Sequence, residues 1–183
     1  KEKVDFSIQD MIEAISKDTH TELTVRDAAI NRFLNCLNWG LFDEKGTPLK
    51  DLAKAGQVTV LDVSCYATAP GGWEIKALVI GLIAQKLFIE RMIARRDEEF
   101  EDVHSAIHYF SEDKPQKQEM PLVWLVIDEA HEFMPVTGKT VATDALVTIL
   151  REGRQPGISL MLATQQPGKI HTDVMTQSDT IIS

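Results

Sequence analysis

The chain has 183 residues, 44% hydrophobic and 26% charged, a composition that suits a globular chain with one sizeable core. Its formal net charge of −9 excludes a general electrostatic attraction to nucleic acid, so any DNA contact needs a local patch or another part of the protein. The two cysteines, Cys36 and Cys65, are too few for a disulfide framework or a cysteine zinc site and fit a reducing compartment. The longest apolar stretch, 77–89, is short for a membrane span and contains Gln85 and Lys86. With no signal-peptide pattern, the expectation is a cytoplasmic protein without membrane contact. The chain starts at Lys1 and stops at Ile181-Ile182-Ser183, which reads as mid-strand, so a piece of a longer protein is expected.

Taken in order, Ser7-Ile8-Gln9-Asp10 has capping-box spacing, with Ile8, Met11, Ile12 and Ile15 following at helical intervals. Thr24-Val25-Arg26-Asp27 repeats the signal, and Val25, Ala28, Ala29, Phe33, Cys36 and Leu37 share a face. The first forty or so residues therefore predict two amphipathic helices, with no chemistry of their own. Thr47-Pro48 starts a short helix with proline at its first position, and Gly56 stops it. Residues 57–64 (QVTVLDVS) read as a β-branched strand, and Pro70-Gly71-Gly72 as a turn. A long helix is expected over 73–96, buried from Ala77 to Ala84 where it is apolar almost all round. Arg91, Arg95 and Arg96 would complement its C-terminal dipole. The acidic run Asp97, Glu98, Glu99, Glu101 and Asp102 opens a stretch to residue 120 that predicts a solvated insertion or loop.

Residues 121–131 (PLVWLVIDEAH) carry the strongest signal. The apolar run suits a strand buried on both faces of a parallel sheet, ending in two adjacent carboxylates. That is the Walker B arrangement of P-loop NTPases. Asp128 would hold Mg²⁺, usually through water, and Glu129 would orient and deprotonate the water that attacks a γ-phosphate. A loop over 133–139, a helix over 140–152, a turn at Pro156-Gly157 and a second buried strand over 158–163 complete a βαβ unit, hence a parallel α/β sheet.

Two patterns mislead. Gly138-Lys139-Thr140 resembles the end of a P-loop, but the leading position of G-x-x-x-x-G-K-[ST] is Phe133 and no strand feeds into it. His131-Glu132-Phe133-Met134-Pro135 falls short of a zinc-binding H-E-x-x-H because Pro135 takes the second ligand position. His104 and His108, four apart, lack a third ligand, so both zinc readings are set aside. Arg151 and Arg154, just past a helix end, read either as helix-dipole complements or as an arginine finger reaching phosphates in a neighbouring subunit. Gln165, in ATQQP at the end of the second strand, stands where a γ-phosphate sensor would sit.

Together these stretches resemble the HerA-like branch of the HerA/FtsK superfamily of hexameric DNA-translocating P-loop ATPases. The resemblance is carried by LVWLVIDEAHEFMP, ALVTILREGRQPGISLMLATQQPGKI and DVMTQSDTIIS, with GQVTVLDVS upstream. It covers roughly 55–183 firmly, while 1–55 is similar to a helical insertion between Walker A and Walker B. It implies a partial RecA-like domain, active as a ring around double-stranded DNA, using ATP and Mg²⁺, with a NurA-type nuclease as partner. Carried over by position, Asp128 would be the magnesium-associated acid, Glu129 the catalytic base, Gln165 the sensor, and Arg151 or Arg154 the finger. The chain departs from the pattern by showing no Walker A, so by itself it is expected to be inactive. Asp128–His131 also spells the DEAH of another helicase class, but Ala163-Thr164-Gln165-Gln166 suits the HerA pattern better. The non-enzymatic alternative is a degenerate NTPase fold used for binding or assembly.

Overall fold

The computed structural model describes residues 6–43, 46–68, 71–107 and 120–183. The first helix, α1 (Ile8–Ser16), opens with the capping box legible in the sequence. The Ser7 hydroxyl accepts from the Asp10 amide at 3.2 Å, and the Asp10 carboxylate accepts from the Ser7 amide at 2.7 Å. That backbone bond, reinforced by the Ser7 hydroxyl, holds the Asp10 carboxyl below its usual range. The next helix, α2 (Leu23–Leu37), starts one residue before Thr24, so Thr24 lies inside it and cannot cap it; Glu22 takes that position without a side-chain bond. α1 and α2 meet each other but bury only Ile12, leaving the α2 stripe without a fully buried residue. They belong to one compact unit, 1–48; the other is 49–183.

The second unit opens, directly after Pro48, with a single helical turn, α3 (Leu49–Leu52), which ends before Gly56. Residues 57–64, expected as a strand, form none: Val58 and Val60 are 93% and 84% exposed. β-Branched side chains favour extended backbone, but a strand needs a ladder partner. The sheet of the described residues has two strands, both further along the chain. Ile181-Ile182-Ser183 likewise lies outside any strand.

The long helix, α4 (Gly72–Ile107), runs 36 residues and continues through the acidic run that the sequence suggested was a loop. Glutamates one turn on from arginines explain this: Arg95 meets Glu99 at 3.2 Å and Glu98 at 3.4 Å, both helix-spaced pairs. His108 and the rest of the expected insertion to 119 lie outside the described residues, as does Pro70 of the expected turn. α4 is amphipathic rather than buried all round. Ile75, Ala77, Ala84 and Leu87 face the core, while Leu82, Ile89, Met92 and Ile93 face outward. Gly81 lets it approach closely, since a Cβ there would stand 2.9 Å from the Val141 carbonyl. Arg91, expected at a helix end, lies mid-helix and wholly buried.

Strands β1 (Val123–Ile127) and β2 (Ile158–Leu162) pair in parallel from Val123↔Ile158 to Ile127↔Leu162. The crossover between them carries α5 (Thr143–Glu152), giving the expected βαβ unit in a mixed α/β chain. A last short helix, α6 (Thr172–Gln177), lies against α5. Ile127, Phe133, Met134, Leu146, Ile149 and Ile158 form the core with the inner face of α4. β1 is covered on one side only: Trp124 and Val126 are 68% and 61% exposed, correcting the expectation of a strand buried on both faces. Periodicity cannot tell a two-sided strand from one whose second face is apolar but bare. Among the described residues no helix is long and apolar enough to cross a membrane.

Candidate functional site

Parallel pairing brings the carboxyl ends of β1 and β2 to one edge, and the ladder continues past both. The Ala163 amide donates to the Ile127 carbonyl at 2.9 Å, and the Ala130 amide to the Ala163 carbonyl at 2.9 Å. Asp128 and Glu129 are thereby set beside Thr164, Gln165 and Gln166, at the carboxyl edge where open α/β sheets bind ligands.

Glu129 sits in the left-handed region at φ 48° and ψ 44°, the one non-glycine residue with positive φ among those described. Such a backbone costs about 1–3 kcal/mol and persists because its surroundings over-determine it. Here the ladder bond at Ala130 holds one side, and the Glu129 amide donates to Asp128 Oδ1 at 2.9 Å on the other. Glu129 Oε1 accepts from Gln165 Nε2 at 2.8 Å. Its Oε2 is buried without a hydrogen-bond partner among the described residues, a state that costs about 1–3 kcal/mol. His131 Nδ1 lies 3.4 Å from that oxygen and 2.9 Å from the Thr164 hydroxyl. His131 Nε2 lies 3.1 Å from Gln166 Nε2.

The loop after β1 is anchored from α4. Trp73 stacks on Phe133 with ring centroids 6.3 Å apart, and Lys76 faces Glu132 at 3.7 Å. Thr140 and Thr143 both donate to the Phe133 carbonyl at 2.8 Å. In the P-loop look-alike, Lys139 pairs with Asp144 at 2.8 Å and the Thr140 hydroxyl is spent on Phe133. Gly138-Lys139-Thr140 therefore presents no ready phosphate cradle.

Asp128, Glu129 and Gln165 thus stand together, whereas Arg151 and Arg154 do not join them. Arg151 lies in the last turn of α5 and Arg154 between α5 and β2, at the opposite edge of the parallel pair. Arg151 Nε donates to Asp173 of α6 at 2.8 Å. Arg154 is exposed and has no ion pair among the described residues. His131, Thr164 and Gln166 are the residues that sequence reasoning did not place in the site.

Asp128 suits a hard cation held largely by water and phosphate. It is exposed, one oxygen takes the neighbouring amide, and the other is uncommitted among the described residues. Among the described residues no group of three His, Cys, Asp or Glu could hold a metal ion by itself.

The described residues thus form a mixed α/β chain with an acid pair at one parallel strand end and a glutamine at the next. The chain is similar to the probable DNA double-strand break repair helicase HerA of Methanocaldococcus jannaschii, 31% identical over 145 aligned residues. That match covers 69% of this chain and 26% of the relative. It is also similar to the DNA double-strand break repair helicase HerA of Pyrococcus furiosus, 29% identical over 100 residues, covering 55% of this chain and 17% of that protein. The chain therefore spans about a quarter or less of the length of the curated relatives it matches. No family model matches it. The similarity to archaeal HerA helicases is thus distant and partial.

Proposed function

We propose that this chain forms part of a RecA-like ATPase domain in a HerA-like double-stranded DNA translocase, whose ATP hydrolysis drives DNA movement in repair or end resection. The observation that carries the reading is the 2.8 Å bond between Glu129 and Gln165, joining the acid of one strand end to the amide of the next. The similarity to HerA helicases supports it over their shared span. The working form is a cytoplasmic ring, a hexamer, with a NurA-type nuclease as partner.

Bound with Mg²⁺, ATP supplies the phosphoryl group to be transferred to water. Asp128 would hold the magnesium, usually by way of water. Glu129 orients the attacking water and takes its proton. Gln165 has two amide hydrogens: one fixes Glu129 and the other is available to a phosphate oxygen, so a single side chain can join sensing to the base. An arginine at the far edge reaches the phosphates of a neighbouring subunit, and its place in the fold favours Arg154. Arg151 is tied to Asp173, whereas Arg154 carries no ion pair among the described residues.

Steady-state ATP turnover of the full-length protein, with Mg²⁺ and with or without linear duplex DNA, tests the reading. Turnover that rises with DNA is expected. The 183-residue chain assayed alone should show none, because it contains no G-x-x-x-x-G-K-[ST]. ATP binding without turnover by the full-length protein would favour the binding or assembly role instead. Arg154→Ala should slow turnover by about 10³-fold or more while magnesium binding is kept, and Arg151→Ala should slow it less. In rings of mixed subunits an Arg154→Ala subunit should impair its neighbour; equal effects of the two substitutions would remove the preference for Arg154.

A further inference from the structure

The cluster at the carboxyl edge contains a histidine for which hydrolysis as described has no task. The His131 side chain is only 13% exposed, and its ring meets three groups. The amide nitrogen of Gln166 donates, so the facing Nε2 of His131 accepts and the ring proton belongs on Nδ1. That proton lies between the Thr164 hydroxyl, 2.9 Å away, and the orphan Oε2 of Glu129, 3.4 Å away. An ordinary core histidine would leave no buried oxygen wanting beside it. The other carboxylate oxygen is held by Gln165. Three consecutive residues therefore govern Glu129: Gln165 directly, and Thr164 and Gln166 through the imidazole.

We propose that His131 is a positioning residue for Glu129. Its Nδ1–H, shared between Thr164 Oγ1 and Glu129 Oε2, sets the orientation of the carboxylate and couples it to the loop 164–166 beyond β2. The coupling is mechanical. A shift of that loop turns the imidazole and the Gln165 amide together, and with them both oxygens of the base. The role rests on the hydrolytic reading of Glu129 given above.

The test compares three substitutions in the full-length protein. His131→Phe keeps a ring without a donor and should lower kcat about 10–100-fold, with KM for ATP changed by less than about 3-fold. His131→Asn places an amide hydrogen near the Nδ1 position and should restore kcat to within about 3-fold of the unaltered protein. His131→Gln, whose amide reaches the Nε2 position instead, should stay slow. An unimpaired Phe variant, or an Asn variant as slow as Phe, overturns the proposal; if Phe prevents folding, the Asn and Gln pair decides it. A second readout needs no nucleotide: ¹⁵N spectra of the histidine-labelled 183-residue chain should show the His131 proton on Nδ1, released from that preference in Gln166→Leu. A proton on Nε2 overturns the arrangement itself. Absence of turnover in the unaltered full-length protein overturns the hydrolytic reading, and the part of His131 in it, whatever the tautomer.

Discussion

Replacing Glu129 by glutamine in the full-length protein should slow ATP turnover by about 10²–10⁴-fold and leave ATP binding largely intact. The substitution keeps the shape and one acceptor oxygen, so the bond from Gln165 can survive. It removes the only function a neutral amide cannot supply, acceptance of a proton from water. It also turns a hydrogen-bond donor toward His131 Nδ1, where the carboxylate had offered an acceptor at 3.4 Å. Steady-state rates read beside equilibrium nucleotide binding separate the two effects. Unchanged hydrolysis would remove Glu129 from the base role, and lost binding would mean that the carboxylate holds the nucleotide rather than the water.

The largest effect on stability is expected at Arg91. Its Nε donates to the Pro156 carbonyl at 2.7 Å, its Nη1 to the Met120 carbonyl, and the same Nη1 meets Glu98 at 3.0 Å. Met120 leads into β1 and Pro156 into β2, so one guanidinium ties the entry of both strands to α4. Arg91→Met fills similar space but strands two carbonyls and leaves the Glu98 carboxylate to Arg95 alone. Breaking such a buried group should cost about 3–5 kcal/mol, seen in denaturant unfolding of the chain. Arg91→Lys should recover only part of this, because an ammonium lacks the planar fork that serves acceptors in different directions. A loss below about 1 kcal/mol in Arg91→Met would show that the strands are held by the apolar core alone.

Much of this was legible in the residues, and the limits have physical causes. The βαβ unit announced itself through two apolar runs, a helix of the right period and the Pro156-Gly157 turn. Asp128, Glu129 and Gln165 could be placed at strand ends because parallel strands put their ends on one edge. What periodicity lacks is knowledge of partners. The run 57–64 has strand composition without a strand to join, and the run ending at Ile127 cannot say that one of its faces stays bare. Arg91 looked like an ordinary helix-end charge because its acceptors, carbonyls of Met120 and Pro156, come from distant sequence. His131 was weighed as a zinc ligand and as the last letter of DEAH, and neither reading set it against Glu129. The available signal was the juxtaposition of DEAH with TQQ at neighbouring strand ends.

The left-handed backbone of Glu129 has an evolutionary consequence. Glycine or asparagine would rest there at less cost, so selection for stability alone would push a carboxylate out of this position. Any lineage that retains the acid does so against a standing thermodynamic gradient. Relaxed selection on activity should therefore register at this codon before the core residues beneath it begin to change.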